Sequence, residues 1–260
     1  MTIKSKAVDY NDGKLVLEGY LSQPESATTK LPAVVIYPAF WGITDNEKEV
    51  AKELAKLGYV ALAASIYEKG VHPKSREEAF GLITPLLQNR VKIMKPRILA
   101  AYDFVKAMKN VDSQKISAIG YCFGGACVLD LARYNVDIKV GVSFHGAFRP
   151  IKEGEDHSKL KPITTSLLIC HGDADEHVNP EVPALLEELR ARKADFQFIR
   201  YANAKHGFTM QAEPGASDLV GYNEKADKRS KMAMLNILSE VIGVPKTRSP
   251  LKKIRTAEDK

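Results

Sequence analysis

The sequence predicts an α/β fold, built on a doubly wound, mainly parallel sheet that begins with an antiparallel hairpin. Two short, continuous apolar runs, at 31–38 and 59–65, are typical of strands that are buried on both faces. The segment between them has apolar residues at helical spacing, behind a capping box formed by Thr44 and Glu47. A strand, a helix and a strand this close in the chain form a βαβ unit, so the two strands should be parallel.

The other predicted elements continue this alternation on either side of the unit. Residues 6–21 have the pattern of two strands around the turn at 11–13, which is a good hairpin signal. Region 66–110 is mostly helical and is divided into pieces by three prolines. Further strands are predicted at 115–120, 139–146, 165–172 and 196–202, with helices at 123–134, at about 180–193 and at about 222–242.

The composition is that of an ordinary soluble globular protein, with 45% hydrophobic and 27% charged residues in a chain of 260. No repeat or linker divides the chain, which predicts a single α/β domain over 1–245 and a basic, flexible C-terminal tail over 246–260. The tail holds six Lys/Arg and two Asp/Glu, so it carries most of the net charge of +6. Because the excess charge lies in the tail, we expect no nucleic-acid partner.

The location and assembly of the protein are expectations from equally simple features. No apolar run approaches the roughly 20 residues that span a bilayer, and the N-terminal residues lack a secretory pattern. The three cysteines, Cys122, Cys127 and Cys170, form no metal-like spacing and cannot all pair. We therefore expect a cytoplasmic monomer or homodimer that does not bind membranes and that needs no metal or organic cofactor.

One cysteine lies at the sharpest predicted bend of the chain, between the strand 115–120 and the helix that follows. Gly120-Tyr121-Cys122-Phe123-Gly124 matches G-x-C-x-G, the thiol version of a nucleophile elbow. Such a turn lifts its central residue above the sheet at a helix N-terminus, whose dipole favours a thiolate. Two alternatives stay open for Cys122: a structural cysteine packed in the core, or a phosphate-binding turn, although no phosphate-loop spacing is present.

A nucleophilic thiol needs a base and an orienting acid, which in this kind of fold follow it in the order acid, histidine. Asp175 comes shortly after the strand 165–172, and His206 comes after the strand 196–202. His177 lies only two residues from Asp175, too close to reach from a different strand end. The sequence therefore predicts a triad of Cys122, Asp175 and His206. His145 and His171 also end strands but do not fit the order, and we interpret them as hydrogen-bonding supports of the site.

These residues resemble the dienelactone hydrolases, which have the α/β-hydrolase fold, over about 6–243. The resemblance implies the same three catalytic residues, with an oxyanion hole from the backbone amides of Phe123 and Phe40. Members of that family usually have a glutamate where this chain has Ala39. Those that act on dienelactone itself use an arginine shortly after the histidine, where this chain has Met210. The motifs that carry the resemblance are YPAFWGITDNEKEVAKELAKLGYVALA (37–63), GYCFGG (120–125), VSFHGAF (142–148), HGDADEHV (171–178), AKHGF (204–208) and YNEKADKRS (222–230).

The predicted activity is hydrolysis of a small-molecule ester or lactone through an acyl-thioester on Cys122. Because Met210 replaces an arginine that would hold a substrate carboxylate, we expect an ester less acidic than dienelactone. Trp41, Tyr67 and Met210 are the candidate pocket residues. Two alternatives remain: a thioesterase or peptidase that uses the same triad, and a weakly active or inactive family member that acts as a binding or redox-sensing protein.

Overall fold

The computed structural model describes residues 1–152, 154–210 and 218–243, and its core is one eight-stranded sheet. The strand order is β1-β2-β4-β3-β5-β6-β7-β8. The first two strands form the predicted antiparallel hairpin, β2 is antiparallel to β4, and every later pairing is parallel. The strands are β1 (Ile3–Asn11), β2 (Val16–Pro24), β3 (Leu31–Tyr37), β4 (Val60–Ala63), β5 (Val111–Tyr121), β6 (Val140–Phe144), β7 (Ser166–Gly172) and β8 (Phe196–Tyr201).

Helices cover both faces of the sheet, as the doubly wound prediction requires. The helix α2 is followed by a π-helical turn at Arg90–Met94, which leads directly into α3. Among the described residues, no helix is long and apolar enough to cross a membrane. The helices are α1 (Asp45–Lys56), α2 (Arg76–Gln88), α3 (Lys95–Lys106), α4 (Phe123–Arg133), α5 (Val182–Ala191) and α6 (Glu224–Ile242).

The strand β3 shows why its sequence is apolar without interruption. Val35 and Tyr37 pack into the cluster formed with α3 and α4, whereas Val34 and Ile36 pack into the opposite cluster with α1 and α6. Successive side chains of a strand point to opposite faces, so a strand covered on both sides needs apolar residues at every position. The sheet is therefore the middle layer of three, and its carboxyl-terminal edge is left open for loops.

The helix α1 begins where the sequence predicts. The Thr44 backbone N–H donates to the Glu47 carboxylate at 2.8 Å, and the Thr44 hydroxyl accepts from the Asn46 N–H at 3.2 Å. This reciprocal arrangement satisfies donors that the first turn of a helix leaves unpaired. The capping-box prediction is confirmed.

A charged cluster ties the helical segment around the π-helical turn to the helix that follows Cys122. Arg90, in the turn, donates from Nε to the buried carboxylate of Asp130 at 2.9 Å, and Arg133 pairs with the same carboxylate at 3.1 Å. Arg133 also donates to Glu188 at 2.7 Å. Buried charges are tolerated only when they are paired in this way. The cluster holds α2 and α3 in register with α4.

Candidate active site

Cys122 occupies the bend between β5 and α4 in a backbone conformation that side chains rarely adopt. Its φ is 51° and its ψ is −112°, and its N–H donates to the carbonyl of Phe144 at 3.0 Å. A non-glycine residue in such a conformation costs on the order of 1–3 kcal/mol and persists where the surrounding structure enforces it. The thiol is partly exposed, whereas the other two cysteines are buried.

The glycines on either side of Cys122 are required by close backbone approach. A Cβ on Gly120 would lie 2.0 Å from the carbonyl oxygen of Gly124, and a Cβ on Gly124 would lie 2.0 Å from that of Tyr37. No rearrangement of flexible side chains could relieve either contact, because both partners are backbone atoms. The G-x-C-x-G pattern thus follows from the tightness of the turn.

The loops after β7 and β8 bring Asp175 and His206 to the thiol. His206 Nε2 lies 3.1 Å from Cys122 Sγ, and His206 Nδ1 lies 2.7 Å from Asp175 Oδ2. Asp175 is completely buried, and its other carboxylate oxygen accepts the N–H of Val178 at 3.2 Å. A base between a thiol and an orienting carboxylate, at these distances, is the geometry of nucleophile activation.

The electrostatics of the three residues favour a charged imidazole. Burial opposes the positive charge, but the negative charge of the Cys122 thiolate and the hydrogen bonds to Asp175 and Cys122 outweigh it. Together they raise the pKa of His206 from 6.5 to about 10. Burial instead raises the pKa of the Cys127 thiol well above its usual range and that of Cys170 to about 12. The partly exposed Cys122 is therefore the thiol suited to reaction.

The two further histidines at strand ends make the hydrogen bonds that the sequence interpretation gave them. His145 Nε2 lies 2.8 Å from the Thr209 hydroxyl, and His171 Nε2 lies 2.9 Å from the side-chain oxygen of Asn179. Burial lowers the pKa of both imidazoles, and that of the fully buried His145 falls well below 6.5. Both therefore act as neutral supports beneath the site.

A cavity of about 270 Å³ opens directly in front of Cys122 and His206. Most of its lining is apolar, and none of the described lining residues is acidic. Phe40 and Phe123, whose amides were predicted to form an oxyanion hole, both lie in its wall. The lining residues are Phe40, Arg76, Phe80, Ile83, Leu87, Cys122, Phe123, Ala126, Ala147, His177, His206, Leu219 and Val220.

The three predicted pocket residues are not among the described residues that line this cavity. Trp41 packs against the ring of Phe40, with centroids 5.0 Å apart, and the Tyr67 hydroxyl donates to the Phe40 carbonyl. These two residues support the wall from behind. Met210 closes a turn, its N–H donating to the carbonyl of Gly207 at 2.8 Å.

Sequence reasoning missed the contribution of α2 to the cavity wall. Phe80 and Leu87 are 48% and 43% exposed, although apolar residues on a helix normally indicate core. His177, which the sequence excludes as the base because it lies too close to Asp175, also lies in the wall. The position of α2 in the chain could have indicated this role. It follows the carboxyl end of β4, and ligand-binding loops of such sheets lie at the carboxyl ends of the strands.

Among the described residues that line this cavity, Arg76 is the only arginine or lysine. Its guanidinium lies over the rings of Phe40 and Phe80, at 5.5 and 5.7 Å from their centroids. In the described part of the chain it makes no hydrogen bond and no ion pair. No described residue therefore occupies the hydrogen-bond donors of this guanidinium.

The sheet topology and the strained bend before α4 define a protein with the α/β-hydrolase fold. The family model described as "Dienelactone hydrolase family" matches residues 17–242, and the chain belongs to that family.

Three similar proteins illustrate the relationship. The uncharacterized protein K02A2.1 of Caenorhabditis elegans is 45% identical over 150 residues, which are 56% of this chain and 93% of that protein. A probable 2-oxo-3-(5-oxofuran-2-ylidene)propanoate lactonase of Bradyrhizobium sp is 29% identical over 197 residues, or 73% of this chain and 77% of the lactonase. The crystal structure of P91, a dienelactone hydrolase-like promiscuous phosphotriesterase from metagenomic libraries, superimposes with a TM-score of 0.86. P91 is 33% identical, and the match covers 93% of this chain and 99% of P91.

Proposed function

We propose that the protein is a carboxylic ester hydrolase that cleaves an ester or lactone bond with Cys122 as nucleophile. One observation carries the proposal: the uninterrupted contact from Asp175 through His206 to Cys122, at 2.7 and 3.1 Å, faces an apolar cavity. A buried structural cysteine would have no such partners. Cys127 and Cys170, which are buried, show that contrast within the same molecule.

In the proposed mechanism the reaction starts from an ion pair. The proton of the thiol resides on His206, whose raised pKa keeps the imidazole charged at neutral pH, and Asp175 orients the ring. The thiolate attacks the carbonyl carbon and forms a tetrahedral oxyanion. His206 then donates its proton to the departing alkoxide, which leaves as an alcohol and leaves the acyl group on sulfur. Water, deprotonated by His206, cleaves this thioester and releases the acid.

The backbone amides of Phe123 and Phe40 are the proposed donors to the oxyanion. Phe123 begins α4, so its N–H is one of the donors that a helix leaves unpaired. Phe40 lies across the cavity, with its carbonyl fixed by the Tyr67 hydroxyl. In a protease where one such donor was removed, the loss was about 3–4 kcal/mol of transition-state stabilisation.

The ion pair also explains how the thiol could be activated without a glutamate beside it. Ala39, at the position of the family's usual glutamate, is buried and its carbonyl accepts the N–H of Gly42 at 3.0 Å. The charges of Cys122 and His206 stabilise each other directly in their partly buried environment. A further carboxylate would not be needed to hold the proton on the histidine.

The lining of the cavity suggests the kind of ester. Its apolar wall favours a substrate with a hydrophobic body, and Arg76 at the rings of Phe40 and Phe80 could pair with one anionic group. We therefore include an anionic ester among the substrates, beside the less acidic esters that the sequence predicts. The names of the similar lactonase and of the phosphotriesterase P91 add a lactone and a phosphotriester to the substrates to be tested.

The test compares the rates at which the wild-type protein, Cys122→Ala and Cys170→Ala hydrolyse these substrates. Cys170→Ala is the matched control, because it removes a buried thiol that does not contact His206. We expect Cys122→Ala to lower ester hydrolysis by more than about a thousandfold, and Cys170→Ala to keep it. An acyl adduct on Cys122, trapped by acid quench and seen by intact mass, would support the thioester.

Three outcomes would decide against the proposal. Full activity of Cys122→Ala would exclude Cys122 as the nucleophile. Rapid alkylation of Cys122 by iodoacetamide at pH 6, without turnover of any ester, thioester or peptide substrate, would favour the binding or redox-sensing alternative. Turnover restricted to thioesters or peptides would favour the other enzymatic alternative.

A further inference from the structure

A second cavity, separate from the one in front of Cys122, lies on the opposite face of the sheet between α1 and α6. Its volume is about 190 Å³, enough for a small organic molecule. Tyr121, Phe144 and Thr209 contribute to its wall at the carboxyl-terminal edge of the sheet, and Leu54 and Met234 contribute from the two helices. We call this cavity the α1–α6 cleft.

The charged residues of the α1–α6 cleft are mostly acidic. Glu49 and Glu53 come from α1, Asp227 comes from α6, and Lys231 is the only basic residue among the described lining residues. Lys231 pairs with Glu53 at 2.5 Å, and Glu49 pairs with Lys52, which lies outside the cleft, at 2.6 Å. Asp227 accepts only the Tyr222 hydroxyl, at 3.1 Å, and makes no ion pair in the described part of the chain. The cleft therefore has a carboxylate that forms no ion pair with any described residue. Burial raises the pKa of Asp227, and Lys231 and Lys228 lower it only from beyond ion-pair distance.

A second and independent observation is the hydroxyl of Tyr121. The residue is only 5% exposed and lines the cleft, yet its hydroxyl makes no hydrogen bond with any described residue. The phenol oxygen can accept as well as donate a hydrogen bond, so a ligand in the cleft could supply its partner. Burial raises the pKa of Tyr121, and the negative charges of Glu47, Asp227 and Glu53 raise it further. The hydroxyl thus lies in a negative field, where its oxygen suits a cationic donor.

The rest of the wall is apolar and aromatic. The rings of Tyr121 and Phe144 stack with centroids 4.9 Å apart, and Val50, Leu54 and Leu235 add aliphatic surface. An aromatic surface beside an unpaired carboxylate attracts organic cations through both the ring quadrupole and the charge. A free metal ion would gain nothing from these apolar groups.

We propose that the α1–α6 cleft binds a small organic cation, an ammonium group on a short apolar or aromatic stem. The ammonium donates to the Asp227 carboxylate and to the Tyr121 hydroxyl oxygen, and the stem packs on the apolar wall. This site is separate from the cavity in front of Cys122, because neither Asp227 nor Tyr121 lines that cavity.

The test is calorimetric titration of the full chain with phenethylammonium chloride, with phenethyl alcohol as the uncharged probe of similar shape. We expect the amine to bind at least about tenfold more tightly than the alcohol, because a charged hydrogen bond is worth about that much or more. Tyr121→Phe, which keeps the ring, and Asp227→Asn, which keeps an acceptor for Tyr222, should each weaken amine binding severalfold. Lys231→Gln should strengthen it, since it removes the opposing cation.

Two controls keep this result interpretable. Tyr121→Phe removes a hydroxyl that makes no hydrogen bond with any described residue, so its thermal midpoint should stay at that of the wild type. Binding should also survive alkylation of Cys122 by iodoacetamide, which blocks the other cavity. Equal affinity for amine and alcohol, or binding that ignores the cleft substitutions and disappears on alkylation, would overturn the proposal. Loss of esterase activity would not bear on it.

Discussion

The imidazole of His145 stands edge-on to that of His206, with ring centroids 5.5 Å apart and an angle of 66° between the planes. His145 is completely buried and has a positive φ of 39°. Its Nδ1 has no hydrogen-bond partner in the described structure, so the contact of Nε2 with Thr209 at 2.8 Å is its one polar anchor. His206, which Asp175 and Cys122 hold by hydrogen bonds, therefore also packs against a neutral ring whose side chain has one hydrogen bond to a described residue.

Replacing Thr209 by valine should loosen this support. The substitution keeps the branched shape but leaves both ring nitrogens of His145 unpaired in a buried environment, which costs about 1–3 kcal/mol. We expect a corresponding loss in the free energy of unfolding, measured with urea, and slower ester hydrolysis. Thr209→Ser, which keeps the hydroxyl, is the matched control and should behave like the wild type. Equal stability of the two variants would contradict this account of His145.

The raised pKa of His206 makes stability depend on pH in a definite direction. The folded protein holds the proton up to about pH 10, whereas the unfolded chain loses it near 6.5. The contribution of His206 to stability is therefore fully present below pH 6.5 and is lost as the pH rises towards 10. Urea unfolding between pH 6 and pH 10 should show this decline in the wild type.

The comparison for this pH experiment is Cys122→Ala. The thiolate is the foremost of the groups that raise the pKa of His206, so its removal should flatten the dependence on pH. Asp175→Asn should flatten it as well, because the hydrogen bond to the carboxylate also raises that pKa. If the free energy of unfolding of the wild type instead rises between pH 6.5 and pH 10 relative to that of Cys122→Ala, the imidazole is not stabilised as an ion.

Gly120→Ala tests whether the bend at Cys122 is as tight as the distances indicate. The new Cβ would lie 2.0 Å from a backbone oxygen, so the turn must open, at an expected cost of about 3 kcal/mol or more. Gly81→Ala is the matched control, because Gly81 lies in α2 with no heavy atom within 4 Å of an added Cβ. It should stabilise the protein by about 0.5–1 kcal/mol through helix propensity. Thermal unfolding of both variants measures the contrast.

The residues that sequence reasoning located best are those whose signal is local. The turn glycines around Cys122 and the capping box at Thr44 each depend on backbone geometry within a few residues. Asp175 and His206 follow predicted strands. Because the carboxyl ends of parallel strands lie at the same edge of a sheet, both residues were expected there. The family and the fold were predictable for the same reason.

The features that could not be predicted from the sequence depend on packing between distant segments. Asp130 and Arg133 on α4 have the spacing of a solvated helix face, yet both are buried because Arg90 and Glu188 arrive from other elements to neutralise them. Tyr67 supports the Phe40 carbonyl across 27 residues instead of lining the cavity. No periodicity in the sequence encodes such pairings, so they become visible only once the segments are assembled.

Arg76→Gln tests whether the cavity recognises an anionic substrate or a neutral one. The guanidinium lies on the rings of Phe40 and Phe80 and makes no polar contact in the described part of the chain, so its removal should leave the thermal midpoint unchanged. Because a charged hydrogen bond is worth about 1.5–3 kcal/mol, we expect the KM of an ester that bears a carboxylate to rise about tenfold or more. The KM of a neutral ester of the same size should stay the same.

The matched control for Arg76→Gln is Arg190→Gln, which removes an exposed arginine of α5 outside the cavity wall. It lowers the net charge by the same amount, so any effect of long-range attraction would appear equally in both variants. A selective rise in KM for Arg76→Gln would assign the effect to the cavity. If both variants raise the KM of the anionic ester alike, or neither does, Arg76 does not contact the substrate, and the less acidic ester predicted from Met210 becomes the better description.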